Sequence, residues 1–278
     1  CFRLENILSL EIFNRYIFMK LHLLEEKIEK ASPLDFGNIL DESFELFKKV
    51  WVQGLVMNLL TVVFAIPSMF IFYVPMLFLG LSNPEAFADD GTPPVLLLFV
   101  MIPAYVIIFF LIFVLNTLMR AGFYRICKQQ DLGVSTSDNY FYYFKKEYLS
   151  KVFLVALMSV GIAFAAALLC MLPLFYVLVP LNLVPLFFAF NPDLSAKELL
   201  KASFKLGTKK WLLIFGLTIV AGFAAQVVGM FLCFVGVFVT ASFSLIPQYM
   251  VYKKTIGFYE AEEEKPQENN TNENLFLK

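Results

Sequence analysis

The sequence predicts an all-α fold: a polytopic membrane helical bundle of six transmembrane helices, with three amphipathic interfacial helices in a three-fold helix-hairpin repeat. Three observations predict it: an apolar composition, four long stretches without a charged side chain, and an aromatic and lysine-bearing segment that recurs ahead of each pair of crossings. Of 278 residues, 59% are hydrophobic and 16% charged, against roughly 45–50% and about 25% in soluble domains. Mean hydropathy is +0.73, and the 33 Phe residues suit a surface that faces lipid.

No Asp, Glu, Lys or Arg occurs in Val50 to Pro84, Gly91 to Met119, Val152 to Pro192 or Trp211 to Tyr252. A bilayer core about 30 Å thick needs about 20 apolar residues for one helical crossing. The first two stretches each fit one crossing. The last two are about twice that length and have turn-capable centres at Leu172-Pro173 and Cys233 to Gly236, so each reads as a hairpin. The runs are continuously apolar rather than alternating, which selects helices over a barrel.

Charge placement tests this count. All 22 Lys and Arg fall in the N-terminal segment, in Arg120 to Lys151, in Lys197 to Lys210 or in the C-terminal segment, while Leu81 to Pro93 carries only Glu85, Asp89 and Asp90. Basic residues favour the cytoplasmic side, so both termini are expected there. Three regions result: residues 1–31 as an N-terminal cytoplasmic segment, 32–258 as one transmembrane domain with repeats near 32–118, 135–190 and 195–258, and 259–278 as a disordered acidic tail. Residue 1 is Cys and the first Met is Met19, so residues 1–18 are expected not to be native. Lipidation of Cys1 is disfavoured because it would place that end outside, against Lys20, Lys27, Lys30, Lys48 and Lys49.

The repeat is visible where Ser43 to Trp51 matches Ser203 to Trp211 at Ser, Phe, Leu, one Lys and Trp, with a weaker copy in Tyr140 to Tyr148. In the first unit Ser32 with Pro33 is a helix-start signal, and Phe36, Ile39, Leu40, Phe44, Phe47 and Trp51 form an apolar stripe. In the third, Ser195 and Glu198 make a capping-box pattern. Such helices either lie in the membrane interface or simply continue the following spans into the cytoplasm. Trp51, Tyr148 and Trp211 are the expected interfacial anchors, and the Lys pairs offer contact to anionic lipid at the cytoplasmic face.

The stretch from Asn191 to Phe258, with Asn-Pro-Asp-Leu-Ser, Lys201 to Lys205, Trp211, Phe215-Gly216-Leu217, Leu232 to Gly236 and Tyr252 to Gly257, resembles a bacterial family of six-span membrane proteins. That family is similar to the membrane domain attached to some glycerophosphoryl diester phosphodiesterases. The resemblance implies a multi-pass protein of the bacterial cytoplasmic (inner) membrane with both termini inside. Its motifs are architectural and assign no catalytic residue.

No catalytic constellation, cofactor motif or metal cluster is legible. The one His, His22, stands among Leu residues. The predicted spans hold no ionisable residue, so Asn58, Asn116, Asn182 and Gln226 are the candidate intramembrane polar lining. Helix-to-helix hydrogen bonding is the plainer reading of these four. Cys170 and Cys233 occupy matching repeat positions as small apolar residues rather than a disulfide. The expected function is a non-enzymatic membrane scaffold or accessory protein, whose partners are the bilayer and an unidentified protein rather than nucleic acid. The alternative is a transporter or channel for a neutral or lipid-like substrate, and a subunit serving a separate phosphodiesterase is a weaker third reading.

Overall fold

The structure, a computed structural model, describes residues 2–82, 95–134, 137–169, 171–231 and 235–258. Glu85, Asp89, Asp90, Cys170, Cys233 and the 259–278 tail lie outside the described residues. The helices are α1 (Phe2–Lys30), α2 (Phe36–Ser82), α3 (Val95–Asp131), α4 (Lys146–Leu168), α5 (Leu172–Phe190), α6 (Ala196–Lys209), α7 (Trp211–Phe231), α8 (Val235–Thr240) and α9 (Ile246–Thr255). Short 3-10 turns occupy Tyr142–Phe144 and Ala241–Leu245, and no strand occurs among the described residues. Segments of α2 (Phe36–Ser68) and α3 (Ile102–Asp131), with all of α4, α5 and α7, are long and apolar enough to cross a membrane. The chain is a multi-pass membrane protein.

The three amphipathic segments differ from one another. The first is not a separate helix: nothing that caps or breaks a helix lies in Phe47 to Trp51, and α2 runs through as 47 residues, about 70 Å. Its start is three residues later than Ser32 implies, because the Asp35 carboxylate accepts from the Asn38 amide at 2.8 Å and acts as the cap. The second segment is only a 3-10 turn, ended by extended backbone at Lys145. Its Tyr143 hydroxyl donates to the Ala189 carbonyl at 2.6 Å, and this packs the turn against α5.

The third segment forms the expected helix, α6, capped by the reciprocal Ser195 and Glu198 bonds. Its apolar stripe does not face headgroups. Leu199, Leu200, Ala202, Ser203 and Leu206 are buried in protein, because α6 folds back antiparallel along α5. Two features of α5 and α6 allow this. Gly207 has no side chain where a Cβ would lie 2.7 Å from the Pro180 Cα. Pro180 also lacks the N–H that would bond the Tyr176 carbonyl, and the Trp211 indole N–H donates to that carbonyl at 3.0 Å instead.

Helix α1 covers the other side of α6 with buried Leu21, Leu24 and Ile28. Glu25 pairs with Lys201 at 2.7 Å and Lys205 at 3.4 Å, and Glu29 with Lys205 at 2.5 Å. The Lys201 hydrogen bond holds the Glu25 carboxyl below its ordinary 4.5, and the Lys205 bond does the same for Glu29. The Glu29 bond raises Lys205 above 10.5. A lowered carboxyl pKa contributes stability above 4.5 that is lost as pH falls through the folded value; a raised lysine contributes below 10.5 and loses it as pH rises. The ion pairs therefore add to the docking of α1 between these limits and lose that contribution beyond both. Paired nitroxides at His22 and Lys197 should give a narrow distance distribution at neutral pH that broadens well below pH 4.5; a distribution unchanged in acid would show that the carboxylates contribute nothing.

Other ion pairs join Asp131 to Lys253 at 2.7 Å, Glu42 to Lys254 at 2.6 Å and Lys20 to Asp193 at 3.1 Å. Charged segments that are far apart in sequence thus meet in space. The final segment is the most enclosed: every residue from Leu245 to Tyr252 is buried. Its pieces follow one another with right-handed helical backbone at Thr240, Leu245 and Ile246, so α8, the 3-10 turn and α9 form one helical run of changing pitch.

Candidate functional site

Arg120 is the first correction to the sequence reading. It lies within helix α3, directly after the charge-free run and three turns before the helix ends, rather than in a loop after the second crossing. The charge-free stretch ends at Met119, but the buried pattern of Leu118, Met119, Ala121, Phe123, Tyr124, Ile126 and Cys127 continues past it. That periodicity was the available signal, and it places Arg120 inside the bundle. A charged side chain enclosed at the end of an apolar run is costly to bury and marks a candidate site.

The guanidinium stands between two cavities. The larger, about 420 Å³, lies among α3, α4 and α5 and is lined chiefly by apolar groups such as Phe113, Ala163 and Leu181, with Asn116, Thr117, Ser159 and Asn182 beside Arg120 as its polar members. Its lining residues Phe109, Phe164 and Leu178 are also exposed on the outside of the bundle, so the cavity opens sideways where the bundle surface is apolar. The smaller, about 190 Å³, is lined by Asn58, Thr61, Asn116, Arg120 and Ser244 among others. Its wall is completed by the 3-10 turn before α9.

Arg120 Nη1 donates to Asn182 Oδ1 at 3.2 Å. Asn182 is oriented for this because its Nδ2 donates to the Leu178 carbonyl one turn back, at 3.0 Å. Pro185 withdraws the helical partner of the Leu181 carbonyl, and both residues line the larger cavity. Among the described residues no carboxylate pairs with Arg120. The Ser159 hydroxyl, on a residue 1% exposed, has no hydrogen-bond partner among them either.

The surrounding frame is fixed. Asn58 Nδ2 donates to the Phe238 carbonyl at 2.7 Å, tying α2 to the end of α8, where the helical pitch changes. One turn beyond Arg120, the Tyr124 hydroxyl donates to Gln248 Oε1 at 3.3 Å and Gln248 Nε2 donates to Thr218 Oγ1 at 3.4 Å. This chain of bonds links α3, α9 and α7.

Three of the four sequence-predicted polar residues therefore meet around Arg120: Asn58, Asn116 and Asn182. Gln226 does not. It is exposed on α7, while Leu217, Ala221, Ala225 and Gly229 form that helix's buried stripe; one residue past Ala225 is a rotation of about 100° away from the interior. Of the expected anchors, Trp51 is exposed, Trp211 is half-buried and stacked between Tyr176 and Phe215, and Tyr148 packs with Tyr142, Tyr143 and Phe188. His22 is exposed on α1, and no group of residues suited to a metal occurs among those described. Comparison of the chain with protein-family models, with characterised proteins and with solved structures gives no match.

Proposed function

We propose that this protein takes a lipid-like, single-chain amphiphile from the bilayer into the cavity among α3, α4 and α5, as a transporter or channel rather than an enzyme. The observation that carries the reading is the cavity's polarity: apolar walls open sideways, with Arg120, Asn116 and Asn182 gathered at one part of the lining. A volume near 420 Å³ lies within the range of about 300–1,000 Å³ typical of ligand cavities. The reading is preferred to the scaffold expectation because Arg120, at the end of the charge-free run of α3, borders the cavity. The helical run from Val235 to Thr255 is taken as a sixth crossing; at about 1.5 Å per α residue and 2.0 Å per 3-10 residue it extends roughly 34 Å. Both termini are then assigned to the cytoplasmic side, where the Lys-bearing segments gather.

Filling the cavity tests the reading. Ala163→Trp places an indole among the lining residues. In phosphatidylcholine nanodiscs the parent should bind monoacyl amphiphiles saturably and the variant should bind them at least about tenfold more weakly, a loss of about 1.4 kcal/mol. Equal binding by both, or no saturable binding by the parent, would refute the cavity as the site.

A further inference from the structure

Resting on that reading, we infer that the bound amphiphile carries an anionic oxygen head, a carboxylate or a phosphate, which Arg120 engages directly. Among the described residues the Arg120 side chain makes one hydrogen bond, to a neutral amide oxygen, and it lines both cavities. A guanidinium keeps its proton in proteins and presents a planar fork that matches carboxylate and phosphate oxygens. Placed beside apolar walls, its attraction for an oxyanion is far stronger than in water.

The polar neighbours fit the same head. Ser159 presents a buried hydroxyl without a partner among the described residues, and a hydroxyl can donate to an oxyanion. The Asn116 amide, which borders both cavities, can donate as well. A neutral head such as an alcohol would leave the guanidinium uncompensated in a low-dielectric site, whereas an oxyanion neutralises it. The apolar remainder of the larger cavity then accommodates the acyl chain.

The test compares matched heads on one chain. Palmitate and hexadecanol, and palmitoyl lysophosphatidic acid and monopalmitoyl glycerol, are titrated against the full chain in phosphatidylcholine nanodiscs at about pH 8, where a carboxylate is ionised. The parent should bind at least one anionic member about tenfold more tightly than its neutral partner, the factor that one charge-assisted hydrogen bond supplies. Whichever anion shows the larger preference identifies the source as a fatty-acid carboxylate or a phospholipid phosphate. Arg120→Gln should bring anionic and neutral affinities together, and Arg120→Lys should retain part of the preference.

Equal affinity of the parent for both members of each pair would overturn the anionic head while leaving the amphiphile cavity intact, as would an Arg120→Gln variant that keeps the preference. Saturable binding by none of the four would overturn both. The parent's ratio is read without any variant, so misfolding of a substituted chain does not decide the outcome.

Discussion

Gly54→Ala should destabilise the folded bundle by about 1–3 kcal/mol, the range for overpacking a filled site, although alanine is the better helix former at an ordinary position. A Cβ at Gly54 would stand 2.1 Å from the Ser242 hydroxyl oxygen and 2.5 Å from the Ser242 Cβ. Ser242 is buried and its hydroxyl donates to the Val239 carbonyl at 3.2 Å, so it has no open side to move towards. The 3-10 turn must therefore be pushed off α2, which also strains the Asn58 bond to Phe238 one turn along. Thermal unfolding in detergent should show the loss, and Ser242→Gly added to the variant should restore most of it. If Gly54→Ala unfolds as the parent does, the close contact of α2 with the 3-10 turn is incorrect.

The second large effect concerns the Arg120 and Asn182 pair. Asn182→Leu removes the one acceptor that the Arg120 side chain has among the described residues and should cost about 1.5–3 kcal/mol, as for a hydrogen bond to a charged group. Arg120→Met, which removes the charge together with its need for a partner, should be close to neutral. The double variant should then resemble Arg120→Met rather than the sum of the two changes, a coupling visible in a double-mutant cycle. Additive losses would mean that the two side chains do not depend on each other.

The sequence made the membrane class legible because composition and charge-free length act over tens of residues. The sixth segment is less legible. Its change of pitch at Ala241–Leu245 is set by contact with α2 at Gly54, a neighbour almost 190 positions away. The fate of α6 depends in the same way on Gly207 meeting Pro180. Its amphipathic stripe is real, but periodicity cannot say whether lipid or protein covers it.

At the site, the asparagines were legible as polar exceptions within apolar runs, and three of them converge. Arg120 was missed because a charge at the edge of an apolar run looks like its boundary. Continuation of the buried pattern through Cys127 was the stronger guide. Gln226 stands apart from the other three because polarity alone does not report facing; its place beside buried Ala225 does.

The most direct measurement is photolabelling of the parent chain in nanodiscs by a monoacyl amphiphile with a diazirine in its chain, with the labelled residues mapped by mass spectrometry. Labels should concentrate on cavity-lining residues such as Phe113, Ala163 and Leu181 and disappear when unlabelled amphiphile is added. Labels spread over outward-facing residues such as Phe99, Leu212 and Phe223, and insensitive to that competitor, would contradict a lipid-binding cavity among α3, α4 and α5.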